Sequence, residues 1–161
     1  MADDPEDFRE THLRDRDFLG SFARIVRDGH TLLVGNRRIV AGVERLTWDL
    51  PGGQVEPGEL LHEALERELR EEIDIVVQGR PRLMFVQEGE RTVGATRRHA
   101  WRSFFFEVTE FDGEPIATDE VCGLRWVPDE ELPDVCDAPY HDSFRRWLRE
   151  GGLHFTSRWD S

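Results

Sequence analysis

The spacing of apolar residues changes several times along the chain, and each change marks a candidate element. In SFARIVRDGHTLLVGNRR (21–38), two short apolar runs predict strands at Phe22–Val26 and Thr31–Val34, joined by a turn at Asp28-Gly29. Residues 35–47, which hold Arg37, Arg38 and Arg45, read as a loop. Trp48-Asp49-Leu50 is stopped by Pro51-Gly52-Gly53, a tight-turn sequence. From Leu60 to Ile73 the period switches: Leu61, Leu65, Leu69 and Ile73 recur every four residues with Ala64 beside them, the stripe of an amphipathic helix. Strands are expected at Ile75–Val77 and Arg82–Glu88, followed by a basic, Gly-containing loop at 89–98. WRSFFFEV (101–108) is apolar almost throughout, as in a central strand buried on both faces. A turn at Asp112-Gly113, a strand at Val121–Val127 ended by Pro128, and a short helix at 142–150 stopped by Gly151-Gly152 complete the pattern. No repeat or low-complexity tract interrupts it. The expectation is one α/β domain with a mixed sheet over 18–150, preceded by a flexible acidic segment (1–17) and followed by a tail (151–161).

Charge narrows the function. The chain of 161 residues has 21 basic and 34 acidic side chains, a net charge of −13, and a mean hydropathy of −0.59. Such a chain repels nucleic-acid backbones and anionic membranes, so neither is an expected partner. There is no apolar run of spanning length and no hydrophobic leader, and a cytoplasmic location is expected. All 21 basic residues are Arg. Chemistry that needs a lysine Schiff base or a phosphate-loop lysine is excluded, and any cationic side chain gripping phosphate is an Arg. Cys122 and Cys136 have neither zinc-site nor disulfide-framework spacing and read as small buried hydrophobes.

The helix at 60–73 carries the chemistry. Glu68, Glu71 and Glu72 stand at i, i+3 and i+4, within an arc of roughly 100°. Like charges at this spacing repel, and Arg67 and Arg70 compensate them only in part. A divalent cation compensates them better, and hard carboxylate oxygens suit Mg²⁺ or Mn²⁺. A Glu-rich helix with a plain solvated face is the competing reading, and the residues around the helix weigh against it. Gly53, Glu59, Arg67-Glu68-Leu69, Glu71-Glu72 and Ile75 fall into the pattern Gly-x5-Glu-x7-Arg-Glu-U-x-Glu-Glu-x-Gly-U, with U apolar. This resembles the box of the Nudix hydrolase family (MutT-like). One defined position departs: Asp74 stands where the pattern has its second Gly, at the helix C-terminus, where altered local stability is expected.

The resemblance implies an α/β/α sandwich around a mixed sheet, with a loop–helix–loop catalytic motif. It implies metal-assisted hydrolysis of a pyrophosphate bond in a nucleoside diphosphate–X substrate. Glu68 and Glu72 are then the main metal ligands, Glu71 a further ligand or the base, and the Gly52 carbonyl an added ligand. Glu59 and Arg67 orient the catalytic acids. Glu120, with Asp119 as its rival, would be the carboxylate that a distant loop adds. Arg37, Arg38 and Arg98 are candidate phosphate contacts, and His99 and His141 weaker substrate candidates. Asp137, before the last helix, is a candidate reader of a purine edge with Tyr140 flanking the ring; a simple helix-capping turn is the alternative. The short chain favours a nucleoside triphosphate or small nucleotide derivative. An ADP-ribose-type sugar nucleotide and a non-catalytic nucleotide-binding module are the alternatives, and a homodimer is left open.

Overall fold

The computed structural model describes residues 17–138 and 141–160, so the segment 1–16 and Tyr140 lie outside the described residues. Strand β1 (Phe18–Arg27) turns at Asp28-Gly29 into β2 (His30–Val40), as the apolar runs predict but longer at both ends. The expected loop at 35–47 is instead a second hairpin. β2 continues to Val40, and β3 (Val43–Asp49) returns antiparallel, with Val40 opposite Val43. Ala41 and Gly42 both have positive φ (51° and 76°), the conformation of a tight two-residue hairpin turn. Arg37, Arg38 and Arg45 break the apolar alternation that would mark these strands in the sequence.

Next come the short β4 (Gly52–Gln54), helix α1 (Leu61–Ile73) and β5 (Val76–Val77). The expected loop at 89–98 is also strand: β6 (Arg82–Val93) and β7 (Thr96–Val108) form one long hairpin, turning at Gly94. β8 (Phe111–Asp112) pairs with β5, and β9 (Gly123–Pro128) pairs with β2. A single 3₁₀ turn (129–131), the one-turn α2 (Leu132–Val135) and α3 (Asp142–Glu150) follow. The expected tail contains β10 (His154–Asp160), which pairs parallel with β6. Its Phe155 is buried and meets the Phe85 ring edge-on at 5.4 Å.

The main sheet runs β10-β6-β7-β1-β2-β3, with β4 added to β1 and β9 to β2. It is mixed, because β1–β7 and β6–β10 are parallel and the other pairs antiparallel. Alternation along β1 and β2 sends neighbouring residues to opposite layers. Ala23, Ile25, Leu32 and Val34 meet Leu65, Leu69 and Ile73 of α1. Phe22 and Leu33 meet Phe85, Phe105, Leu132 and Phe144 on the other side. No described helix is long and apolar enough to cross a membrane. Cys136 is buried as expected, but Cys122 is exposed.

Asp74 ends α1 in the left-handed conformation (φ 55°, ψ 42°), and its N–H donates to the Arg70 carbonyl at 3.1 Å. An Asp there carries a Cβ penalty that Gly lacks. Asp74→Gly is expected to stabilise the fold by about 0.5–1 kcal/mol, after the extra unfolded-chain entropy of Gly is subtracted. Urea unfolding checks it; a lower midpoint in the variant contradicts the expectation.

Candidate active site

The site is built where β4 passes the middle of α1. Pro51-Gly52-Gly53, expected as a tight turn, runs into a strand that pairs with β1: Gly52 lies opposite Phe22 and Gly53 opposite Ser21. Both glycines are required by close approach. A Cβ on Gly52 (φ 137°) would lie 2.3 Å from the Ser21 carbonyl oxygen. A Cβ on Gly53 would lie 2.7 Å from the Glu68 carboxylate. The backbone therefore comes directly against the helix acids. The helix start is fixed as well: the Ser21 hydroxyl donates to the Leu61 carbonyl (3.0 Å), and the Leu60 N–H to the Glu63 carboxylate (2.8 Å).

The three box carboxylates sit at three depths. Glu72 is buried, and its Oε1 accepts the Gly52 N–H at 3.0 Å. Burial pushes its pKa well up; the Gly52 hydrogen bond opposes this, and the charges of Glu68, Asp49 and Glu120 add to it. Glu68 is partly buried, and its pKa is also raised by burial, with Arg67 opposing and Glu71 and Glu120 adding. Glu71 is half-exposed. Of the two candidate loop acids, Glu120 is the one whose charge acts on both inner acids.

Arg67 ties the group together. Its Nε and Nη2 clamp both oxygens of Glu59 (2.8 and 2.9 Å), and Nη2 also reaches the Gln54 carbonyl (2.9 Å). Its Nη1 bridges Glu68 (3.0 Å) and Glu71 (3.3 Å). The Glu59 carboxyl is pulled below its usual range, chiefly by that clamp. With a guanidinium between Glu68 and Glu71, no three acidic, His or Cys side chains among the described residues close into a ready-made metal cage.

The remaining candidates lie farther from this group, or are engaged elsewhere. Arg37 and Arg98 are exposed and lie on strands β2 and β7, not on loops, and no described contact joins either to the carboxylates. Asp137 is exposed and does not cap α3. Its Oδ1 accepts the Trp48 N–H at 2.8 Å and tethers the segment before α3 to β3. Arg38 is buried and bonded to Asp49 (2.6 Å) and Thr47 (3.1 Å), and Asn36 also donates to Asp49 (3.1 Å). No spacing in the sequence points to this buried network beside Glu72, because its partners stand 9–13 residues apart and meet only through the hairpin of β2 and β3.

His141 is buried as well, with its Nε2 accepting the Leu50 N–H at 3.3 Å and the Phe22 and Phe105 rings around it. Burial lowers its pKa from 6.5 to about 4; Asp49 opposes the shift, while Arg38 and Arg145 add to it. The unfolded chain therefore binds this proton first as pH falls. His141 stabilises the fold fully above pH 6.5, and that contribution, about 3 kcal/mol, is lost as pH falls to 4. Glu68 and Glu72, with raised values, act in the opposite sense. The check is therefore differential: His141→Gln is expected to flatten the fall in stability between pH 6.5 and 4, and an unchanged slope contradicts it.

Comparison with known proteins identifies the family. A family model described as NUDIX domain matches residues 18–148. The chain belongs to the NUDIX family and is a Nudix pyrophosphohydrolase. A Bacillus subtilis protein named "Putative 8-oxo-dGTP diphosphatase" is 31% identical over 115 residues, 71% of this chain and 68% of that protein. A Mycobacterium tuberculosis protein named "Putative 8-oxo-dGTP diphosphatase 2" is 35% identical over 108 residues, 64% of this chain and 67% of the other. The MutT protein of Bacillus halodurans shares the fold with a TM-score of 0.73 at 23% identity, over 89% of this chain and 90% of that one. The E. coli ORF135 protein superposes with a TM-score of 0.66 at 29% identity, over 83% and 87% of the two chains.

Proposed function

We propose that this enzyme hydrolyses a nucleoside triphosphate to the monophosphate and pyrophosphate with the help of a divalent cation, Mg²⁺ or Mn²⁺, and that it favours guanine-type bases. The observation that carries the reading is the buried Glu72 carboxylate, held against the Gly52 N–H beside Glu68. Two raised carboxyls at the edge of a core are costly without a cation, and Gly53 leaves room against them. Their hard oxygen donors fit Mg²⁺ or Mn²⁺. Glu68, Glu72, the Gly52 carbonyl and Glu120 would hold the ion, with Glu71 at its rim. When bound, the ion supplies positive charge against the phosphate oxygens and acidifies water.

The chain's own groups do the rest. A water oxygen attacks one phosphorus in line, and the anhydride P–O bond on the far side breaks, leaving with pyrophosphate. Glu71, half-exposed and ion-paired on one side only through Arg67, takes the proton of the attacking water. Arg67 holds Glu68 and Glu59 in register throughout. Arg37 and Arg98 are the exposed cations assigned to the outer phosphates. Asp137 is assigned to the purine edge, its carboxylate already oriented by the Trp48 N–H. The guanine preference draws on the names of the Bacillus subtilis and Mycobacterium tuberculosis relatives.

The experiment is a panel of dGTP, 8-oxo-dGTP, dCTP and ADP-ribose with Mg²⁺, Mn²⁺ or EDTA, following monophosphate and pyrophosphate. Monophosphate and pyrophosphate from the purine triphosphates, abolished by EDTA, are expected. Faster ADP-ribose cleavage favours the sugar-nucleotide alternative, and tight binding without turnover favours the non-catalytic module. In the same panel Asp137→Ala is expected to lower kcat/KM for guanine substrates by about 10-fold more than for dCTP. An equal loss on all bases removes Asp137 from base selection.

A further inference from the structure

Helix α1 ends with the carbonyls of Glu71, Glu72 and Ile73, which a helix leaves without internal partners. The loop between β8 and β9 supplies those partners. The Thr118 hydroxyl donates to the Glu71 carbonyl, the Thr118 N–H to the Glu72 carbonyl (3.1 Å), and the Ile116 N–H to the Ile73 carbonyl (3.1 Å). The same Thr118 oxygen accepts the Glu120 N–H at 3.3 Å. On the far side of Glu120, Val121 is buried, and the Cys122 N–H donates to the Gly35 carbonyl of β2 at 2.7 Å. One hydroxyl therefore joins the backbone of the box helix, at Glu71, to the backbone of the loop acid, while the N–H of the same residue holds the Glu72 carbonyl. Glu120 sits on a short span pinned at both ends, at Thr118 to the helix and at Cys122 to the sheet.

We propose that Thr118 is a positioning residue: its hydroxyl sets the Glu120 carboxylate against Glu68 and Glu72 and so completes the cation site. This rests on the cation reading given above. A threonine supplies what the place needs, a hydroxyl that donates and accepts at once on a stiff β-branched stem. Valine copies the shape and loses both bonds, while serine keeps both. The Thr118 N–H bond to Glu72 survives either change, so the loop stays docked while its aim is released. Groups behind metal ligands commonly contribute 10–100-fold to affinity by such orientation.

The test is Mn²⁺ alone, titrated into the full chain without nucleotide and followed by the EPR signal of free Mn²⁺, with thermal melts as a check of folding. Glu120→Gln is expected to weaken Mn²⁺ binding about 10-fold, Thr118→Val about 5-fold, and Thr118→Ser less than about 2-fold. The double variant T118V/E120Q should bind no more weakly than E120Q alone, because Thr118 acts through Glu120. Losses that multiply in the double variant, or wild-type affinity in T118V while E120Q is weakened, overturn the positioning role and leave the cation reading intact. Unchanged binding in Glu72→Gln and Glu68→Gln removes the cation reading itself and the proposal with it. If T118V does not fold, Thr118→Ala takes its place against the same expectations.

Discussion

Glu72→Gln is expected to turn over its nucleotide at least about 10³-fold more slowly than wild type, and to melt at a higher temperature. The two effects have one cause. The Glu72 carboxylate is buried, and burial with the neighbouring charges of Glu68, Asp49 and Glu120 holds its pKa well up. An ionised carboxylate there costs folding energy that the Gly52 hydrogen bond repays only in part. Glutamine keeps the shape and a carbonyl oxygen for the Gly52 N–H, removes the charge, and so relieves the fold. It also removes the anionic donor on which the proposed cation depends. Steady-state kinetics at saturating Mg²⁺, with a thermal melt of the same preparation, checks both halves. Near-normal turnover in this variant would falsify the assignment of Glu72, and a lower melting temperature would show that its charge is compensated in the native protein.

Arg38→Ala is expected to destabilise the fold by about 3 kcal/mol or more. Arg38 and Asp49 are both buried and lie 2.6 Å apart on adjacent strands. Removing the guanidinium takes away the cation that neutralises the Asp49 carboxylate in the interior, while the Asn36 amide still donates to it. That unbalanced charge also faces Glu72 and disfavours its ionised form further. Stability and turnover should therefore fall together. Arg38→Met combined with Asp49→Asn removes both charges and should recover much of the stability, since breaking a buried pair costs more than replacing it. Urea unfolding of the three chains decides it: a single variant no less stable than the double one contradicts the argument.

The parts of this molecule that sequence patterning reveals are those governed by local period. Leu61, Leu65, Leu69 and Ile73 announce α1 because one face meets the core at every turn, and the box residues announce the family because their spacing matches close contacts in the folded site. Gly53 is one such case, its missing Cβ leaving space for Glu68. The two hairpins at 35–47 and 89–98 escape this kind of reading. Their strands are half-exposed, Arg and Glu fill the outward positions, and the first turns on Ala41-Gly42, which lacks the usual Asn or Asp. The Arg38–Asp49 network and the Thr118 bridge escape it for another reason. Each joins residues that only the folded topology brings together, so no spacing in the chain encodes them. Cys122 is exposed because it lies in the bend just before β9, held there by the hydrogen bond from its backbone N–H to Gly35, a placement that its apolar character does not encode.

The pairing of β10 with β6 has a consequence during synthesis. β6 lies between β7 and β10, and its partner on the β10 side is made some 60 residues after β6 itself. Until residues 154–160 leave the ribosome, the nascent domain presents the unpaired edge of a long strand, with Phe85 and Phe105 lacking the cover of Phe155. Such an edge recruits other strands. Ribosome-bound chains stopped short of residue 154 are accordingly the ones that should need chaperone protection, and emergence of residues 154–160 is the step that pairs this edge of β6.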